Sequence, residues 1–270
     1  MTTSRTIPYT KASACGNDFL LVGDAHSTSD ASSLARITQA MCDRKNGIGA
    51  DGVEWLYPPT NGQKADIRIR LFNADGSEAE ISGNGTRCVA ASYILQHGGN
   101  MVRVETAAGV KECRLMRASS PQFEFETHMG VPKIEGVYSS THLGAELHGL
   151  LLNMGNPQCV IFIDEFPKNW QGLGADIQSR PQFPNGVNID FVRVTGEHSI
   201  ECRFFERGAG ETLSSGTGSC ASAVAAIHSG RVSSPVTVHA LGGSQTVRCE
   251  GEVFLTGPAV ITGSGEFVEP

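Results

Sequence analysis

Two glycine-rich segments of the sequence carry the same residue types at the same spacing, and both could open a helix that binds an anion. The first reads SGNGTRC from Ser82, and the second reads SGTGSCA from Ser215. Aligning the two serines also places Glu78 on Glu211, so the match extends upstream. The chain therefore contains an internal duplication.

Each segment, called a hinge below (residues 82–86 and 215–219), leads into a run of alanine and other small residues that predicts a helix. The unpaired N–H groups and the positive end of the dipole at a helix N-terminus bind anions, and glycine lets a ligand approach the backbone closely. One hinge alone is explained by a tight turn that caps a buried helix. Two matching hinges favour a ligand carboxylate held between two helix ends.

Composition limits the other functions. The 270 residues are 40% hydrophobic, which is enough to form the buried cores of two modest lobes. A formal net charge of -7 without blocks of like charge argues against nucleic acid or a membrane surface as a partner. No apolar run approaches the length of a membrane span, and the N-terminus lacks the apolar core of a signal peptide, so we expect a cytoplasmic protein.

Cysteine and histidine show no pattern of a metal site. The eight cysteines form no C-x-x-C pair and have no zinc-ligand spacing with histidine. We therefore expect no bound metal, and mostly reduced thiols that pack as small apolar groups. Cys88 and Cys220, inside predicted helices, and Cys15, close to Asn17, are interpreted in the same way.

The periodicity predicts many short strands and few helices. Helices are expected at about 30–43, 84–97 and 217–229, and residues 66–72 (DIRIRLF) alternate as a half-buried strand does. The second and third helices are rich in small residues all round, which indicates core helices wrapped by curved sheets. Residues 47–52 (GIGADG) have the letters of a dinucleotide-binding motif, but no strand precedes them and no helix follows. We therefore do not predict a nucleotide site there.

Six motifs make the sequence recognisable, and together they extend over nearly its whole length. It resembles diaminopimelate epimerase in ACGNDFLLV (14–22), CDRKNGIGADG (42–52), LFNADGSEAEISGNGTRC (71–88), NMGNPQCVIFID (153–164), FPNGVNIDFV (183–192) and ERGAGETLSSGTGSCA (206–221). Several motifs in the right order are far more specific than any single glycine loop.

The resemblance implies an α/β (α+β) fold of two pseudo-symmetric lobes, each a rolled, mostly antiparallel sheet around a central helix, with the active site in the cleft. The lobes would comprise residues 1–127 and 128–257, and a final strand at 258–270 would return to the first lobe. The implied activity is that of an isomerase, which converts LL-diaminopimelate to the meso form for lysine and cell-wall synthesis without a cofactor. The expected partner is a small diamino dicarboxylic acid, and homodimers are common in the family.

Inversion without a cofactor needs one base that removes the α-proton and a protonated base on the opposite face that delivers another. Dipoles aimed at the carboxylate must then stabilise the carbanion. The resemblance assigns the bases to one cysteine in each hinge, where this sequence has Ser82 and Ser215. An alcohol titrates roughly 7 pH units above a thiol, which could cost up to about 10 kcal/mol in forming the base. A third departure is Gln158, where the family usually has a histidine; an amide carries no proton away.

Three interpretations fit these departures. In the first, cysteines have been deliberately replaced by serines, which preserve the pocket and stop turnover. In the second, a natural enzyme uses the hydroxyl groups for different chemistry or another substrate. In the third, a non-catalytic homologue keeps only the amino-acid pocket. The codons at positions 82 and 215 of the gene would separate the first interpretation from the others.

Carrying the family's roles over residue by residue gives the expected site. Those at catalytic positions are Ser82, Ser215 and Glu206. Those expected to hold the α-carboxylate and amine are Gly83, Asn84, Gly85, Gly216, Thr217 and Gly218. Those expected to bind the remaining polar groups are Asn17, Asn73, Asn156, Asn188, Glu206 and Arg207. A guanidinium can clasp a carboxylate with two parallel bonds, which makes Arg207 the most specific of them. Asp51 and Asp75 are interpreted as ordering their own turns.

Overall fold

The computed structural model describes residues 6–23, 30–60, 64–142 and 145–269, which form seventeen strands and four helices. No helix within these ranges is long and apolar enough to cross a membrane. The chain divides into two compact units. Unit 1 contains the described residues up to Thr127 and those from Pro258 onward, and unit 2 contains His128–Gly257.

Unit 1 is a mixed, mostly antiparallel sheet with two helices. Its strands are β1 (Thr6–Ala14), β2 (Asn17–Val22), β3 (Gly52–Tyr57), β4 (Ile67–Asn73), β5 (Glu78–Ala79), β6 (Met101–Thr106), β7 (Gly109–Ser119) and most of β8 (Gln122–Gly130). Its helices are α1 (Ala31–Cys42) and α2 (Gly83–His97). The pairs β2/β3 and β4/β6 are parallel, and β1/β2, β3/β4, β4/β5, β6/β7 and β7/β8 are antiparallel.

Unit 2 repeats this plan. Its strands are β9 (Lys133–His142), β10 (Ala145–Asn153), β11 (Pro157–Phe162), β12 (Asn188–Gly196), β13 (Ser199–Glu206), β14 (Gly210–Thr212), β15 (Val236–Ala240), β16 (Gly243–Cys249) and the start of β17 (Val253–Val268). Its helices are α3 (Trp170–Gln178) and α4 (Gly216–His228). From β10 to β17 the strands pair in the same order and sense as β1 to β8. The duplication therefore extends from the hinges to the pairing plan of both units.

The helices explain where parallel pairing occurs. Parallel neighbours need a crossover connection, and a helix lies in each one: α1 between β2 and β3, α2 between β4 and β6, and α3 and α4 at the equivalent places in unit 2. The last part of β17 pairs antiparallel with β1. Thus the C-terminal residues complete the sheet of unit 1.

Each unit has two apolar cores, because successive side chains of a strand point to opposite faces of a sheet. In unit 1, Val53 packs in the core with α1, whereas Leu71 packs in the core with α2. In unit 2, Phe191 packs with α3 and Phe204 packs with α4. Most residues of α2 and α4 are buried, as expected for small-residue helices inside a curved sheet.

The predicted fold class is confirmed, and so are the three predicted helices. Helix α1 begins after Asp30, whose carboxylate accepts a hydrogen bond from Ser33 N at 2.8 Å and caps the helix. Helix α3 is absent from the sequence-based predictions. Its buried residues Trp170, Leu173 and Ile177 follow a helical spacing, but the helix has only nine residues, so its apolar pattern is short.

Candidate functional site

The two hinges have the same local construction. Ser82 is the N-cap of α2, and its Oγ accepts a hydrogen bond from Gly85 N at 3.1 Å. Ser215 is the N-cap of α4, and its Oγ accepts one from Gly218 N at 3.0 Å. Both serines have extended backbone angles, as N-cap residues do. A helix start leaves several N–H groups without an intrahelical partner, and such groups bind anions. The serine accepts a hydrogen bond from one of them, and the others make each hinge suitable for an anion.

In unit 1, the second residue of α2 is tied to the start of β2. Asn84 Nδ2 donates to Asn17 Oδ1 at 3.4 Å, and Asn84 Oδ1 accepts from Arg87 Nη2 at 2.5 Å. The Arg87 side chain is fully buried. Gly16, directly before Asn17, has a φ of 77°, which glycine adopts without strain and which turns the chain from β1 into β2.

Asp51 joins this network instead of ordering its own turn, so that interpretation is wrong. Its Oδ2 accepts from Asn17 Nδ2 at 2.5 Å and from Asp18 N at 3.0 Å, and its Oδ1 accepts from Arg44 at 2.8 Å. Burial acts to raise the pKa of Asp18, but hydrogen bonds from Arg44 and Lys11 outweigh it and the pKa is lowered. Asp51 thus connects the beginnings of two parallel strands, β2 and β3.

In the turn after β4, Asp75 behaves as the sequence predicts. Asp75 Oδ1 accepts from Ser77 N at 2.8 Å, so Asp75 orders its own turn. Asn73, the last residue of β4, donates from Nδ2 to Ser77 Oγ at 3.0 Å in the same turn. The structure therefore places Asn73 at the end of β4, where it is bonded to the turn that leads to β5.

In unit 2, the second residue of α4 is tied to the residues before and within β11. Asn156 Nδ2 and Gln158 Nε2 each donate to Thr217 Oγ1 at 3.2 Å, and Gln158 Nε2 also donates to Asn156 Oδ1 at 2.7 Å. Gly155 has a φ of 103°, and it precedes Asn156 as Gly16 precedes Asn17. Gln158 therefore lies beside Thr217, whereas its Oε1 is buried without a hydrogen-bond partner in the described part of the chain.

Arg207 lies over the turn before β12. Its side chain is exposed, and its Nη1 donates to Asn185 O at 3.2 Å. Gly186 has a φ of 73°, and a Cβ on it would stand 2.7 Å from Arg207 Cδ, so a larger residue would displace the arginine. The backbone N of Arg207 donates to Asn188 Oδ1 at 2.8 Å. Asn188 is in register with Gln158 on β11, so these residues belong to one neighbourhood of unit 2.

The cysteines near the hinges are packing residues. Cys88 and Cys220 are fully buried inside α2 and α4, and Cys15 is 6% exposed. Burial raises the pKa of the Cys88 thiol well above its ordinary value. No group of three or more metal-ligating side chains occurs within the described ranges.

Two buried acidic residues are not among those predicted from the sequence. Glu54 lies on β3 and Asp190 on β12, and both are fully buried beside the first turn of the central helix of their unit. A sequence signal exists: each is a single acid in a strand whose neighbours are apolar on both faces (GVEWLY and NIDFV). A strand that is apolar on both faces is buried on both faces, so an acid within it must be buried as well.

The fold is shared with a solved amino-acid epimerase and with a phenazine biosynthesis protein. A solved hydroxyproline epimerase from Agrobacterium vitis matches with a TM-score of 0.78 over 98% of this chain and 92% of that chain, at 15% identity. A phenazine biosynthesis protein of the PhzF family from Bacillus anthracis matches with a TM-score of 0.72 over 98% and 100% of the two chains, at 16% identity. At such identities the likeness concerns the fold alone.

Sequence comparison gives the particular family. The sequence model of diaminopimelate epimerase matches residues 9–134 and 150–262. The diaminopimelate epimerase of Pelotomaculum thermopropionicum is 37% identical over 96% of this chain and 98% of that protein. Diaminopimelate epimerase 1 of a Nostoc species is 36% identical over 95% and 99%. The chain belongs to the diaminopimelate epimerase family and is an amino-acid epimerase, an isomerase, by that membership.

Proposed function

We propose that the chain binds diaminopimelate and that Ser82 and Ser215 occupy the two base positions of an epimerase that converts the LL to the meso form. The repeated hinge carries this proposal. In each unit the serine Oγ accepts a hydrogen bond from the third N–H of the central helix, at 3.1 Å in unit 1 and 3.0 Å in unit 2. Inversion requires one proton-transferring group for each face of the α-carbon, and the duplication supplies two equivalent groups.

The helix starts are suited to the charge that develops during the reaction. Removal of the α-proton places negative charge on the α-carbon and its carboxylate, and preorganised N–H groups stabilise such charge. We assign the α-carboxylate and amine to Asn84 and Thr217 with the glycines beside them. The remaining polar groups are assigned to Asn17, Asn73, Asn156, Asn188, Glu206 and Arg207.

The serines are proposed to slow the inversion strongly. A hydroxyl group forms a base far less readily than a thiol. Gln158 does not compensate, because its amide Nε2 donates to Asn156 and Thr217 and an amide accepts no proton near neutral pH. The expected behaviour is binding of the substrate with slow turnover, and the family reaction would place the chain in lysine synthesis.

Binding of LL- or meso-diaminopimelate tests the substrate assignment without requiring turnover. Calorimetry should detect binding, and ligand at a hundred times the dissociation constant should stabilise the fold by about 2.7 kcal/mol. Arg207→Ala should weaken binding by roughly 2 kcal/mol, because it removes a charge-assisted contact to the distal carboxylate.

Arg117→Ala is the matched control, because Arg117 is an exposed arginine on β7. It should bind the ligand as the native chain does. The substrate assignment is wrong if neither calorimetry nor thermal unfolding responds to the ligand at millimolar concentration. A homodimer, implied by the resemblance, stays a prediction that light scattering in solution would test.

A further inference from the structure

Glu54 is a carboxyl group placed in an apolar core. Its neighbours on β3, Val53 and Trp55, pack in the core with α1. Because side chains alternate along a strand, Glu54 points to the opposite core, in which α2 lies. The side chain is 0% exposed, and neither carboxyl oxygen has a hydrogen-bond partner among the residues that the structure describes.

The Glu54 carboxyl lies next to the hinge of unit 1. A Cβ built on Gly85 would stand 2.0 Å from Glu54 Oε1 and 3.3 Å from Ser82 Cβ. The N–H of the same Gly85 donates to Ser82 Oγ. The glycine therefore leaves room for the carboxyl beside the hinge, and any larger residue would displace it.

Unit 2 also has a buried acid against its hinge glycine. Asp190 lies on β12 between Ile189 and Phe191, which pack with α3, and its own side chain points to the core with α4. It is 0% exposed, and both its carboxyl oxygens lack hydrogen-bond partners within the described ranges. A Cβ on Gly218 would stand 2.9 Å from Asp190 Oδ1, and Gly218 N donates to Ser215 Oγ.

Stability does not account for these acids. Burying a carboxyl group without a hydrogen bond is unfavourable, and an apolar side chain would fill either position at lower cost. Groups buried in this way are found preferentially at functional sites. Here the same unfavourable feature occurs in both units, each time against the glycine that binds the hinge serine.

We propose that Glu54 holds the proton that Ser82 exchanges with the substrate, and that Asp190 does the same for Ser215. This inference rests on the proposed epimerase function. The proposal requires that, in the substrate complex, Ser82 Oγ donates to a Glu54 carboxylate oxygen, a bond that the structure does not contain. In the forward step the α-proton then passes to Ser82 Oγ while the Ser82 hydroxyl proton passes to that oxygen. The electron pair of the broken C–H bond stays on the α-carbon, and the serine remains neutral. The reverse sequence on the other face returns a proton to the α-carbon. Glu54 acts through Ser82 and is a positioning residue.

Such a partner offsets part of the disadvantage of a hydroxyl group, and turnover remains slow. Burial raises the pKa of Glu54 to about 8, close to the ordinary pKa of about 8.5 of a thiol. The proton of the serine then moves to a group that titrates near that value, and no free alkoxide has to form. Burial also raises the pKa of Asp190, with a smaller contribution from repulsion by Glu206, so its protonated form is favoured.

Burial is the cause of the raised pKa of Glu54. Its partners in register on β2 and β4 are Leu21 and Leu71. On α2, Cys88 interacts electrostatically with Glu54, and Arg87, Cys15 and Asp18 are the other charged or titratable groups acting on that thiol. On the α1 side, Cys42 has its pKa raised to about 12 by burial.

A double-mutant cycle tests the inference. Glu54→Gln keeps the size of the side chain and removes its ability to hold a proton. Exchange of the α-proton of LL- and meso-diaminopimelate with D2O is followed by NMR between pH 6 and about pH 9. In the native chain, Glu54→Gln should slow exchange on one face about tenfold or more and abolish the increase in rate centred near pH 8.

The same substitution in a Ser82→Cys, Ser215→Cys background should change the rate less than about twofold, because a thiolate is a base by itself. Glu54→Asp should restore part of the rate, since it keeps the carboxyl group. Glu112→Gln, at an exposed position on β7, is the control and should change nothing.

An equal loss of rate in the serine and cysteine backgrounds would show that Glu54 has only a structural role and would overturn the inference. Undetectable exchange in the native chain would overturn it as well, because a serine with a working proton partner must exchange. Failure of the proposed function has another signature: diaminopimelate does not bind, or the double-cysteine chain binds it and exchanges no proton.

Discussion

The starts of the two central helices, α2 and α4, share a backbone arrangement and differ in the side chains that support it. In unit 1, Asn84 accepts from the buried guanidinium of Arg87, and its neighbour Asn17 is held by Asp51. In unit 2, Thr217 accepts from two neutral amides, Asn156 and Gln158. The start of α2 is thus supported by charged groups and the start of α4 by amides.

This difference shows which part of the site the fold fixes. The serine N-cap, the two hinge glycines and the buried acid occur in both units, because the pairing plan of the strands creates the same position twice. The supporting polar side chains are free to differ, since several sets can satisfy the same helix start. The proposed inversion at two faces of one carbon needs equivalent positions and tolerates different surroundings.

The largest expected effect concerns the buried acids and the pH dependence of folding. Glu54 has its pKa raised from 4.5 to about 8, so its contribution to stability is complete below pH 4.5 and is lost as the pH rises through 8. The loss amounts to as much as about 5 kcal/mol. Glu54→Gln should remove this dependence, which urea unfolding at pH 5 and about pH 8.5 would measure.

Asp190→Asn should act in the same direction, because burial raises the pKa of Asp190 too. Equal pH dependence of unfolding in the native chain and in both variants would mean that neither acid is protonated by burial. A change in only one variant would break the equivalence of the two positions.

The next largest effect distinguishes the charged network from the amide network. Asn84→Leu should destabilise unit 1 by about 3 kcal/mol, because the buried guanidinium of Arg87 loses an acceptor. Thr217→Val should cost about 1–2 kcal/mol, because it leaves two neutral amides short of an acceptor.

Both values come from the free energy of unfolding in urea. Asn84→Asp is the control, since it keeps an oxygen for Arg87 and should be milder than Asn84→Leu. A larger cost for Thr217→Val than for Asn84→Leu would contradict the contrast between the two helix starts.

The smallest effect tests the shared feature. Ser82→Ala and Ser215→Ala each remove an N-cap hydrogen bond to the third N–H of a helix. Each should cost about 1 kcal/mol, and the two costs should be similar. Thermal unfolding would measure them against Ser119→Ala, an exposed serine at the end of β7. A cost in only one unit would mean that the two caps are not equivalent.

Much of the fold could be predicted from the sequence, because its signals are local. The small-residue runs after Ser82 and Ser215 gave helices within one residue of α2 and α4, and alternation in residues 66–72 gave most of β4. Helix α3 was missed because nine residues carry few apolar repeats.

The site could be predicted only in part. The hinges are local motifs, and the asparagines and Arg207 followed from the family resemblance; their roles stay predictions. Glu54 was missed because its importance depends on strand register, which brings residue 54 against Gly85. The role of Asp51 was misjudged for the same reason, since its partners Asn17 and Asp18 are distant in sequence. Long-range pairing is not encoded in a single local pattern.

Proton NMR of LL-diaminopimelate in D2O, with the native chain, Ser82→Cys, Ser215→Cys and the double variant, tests most directly whether the hinges hold the two base positions. The native chain should exchange the α-proton slowly, either single variant should do little more, and the double variant should restore exchange and inversion together. Strong non-additivity is expected of residues that act as a unit. Rapid inversion by the native chain would contradict slow turnover at serine positions, and a double-cysteine chain that binds the substrate but stays inert would contradict the assignment of the bases to the hinges.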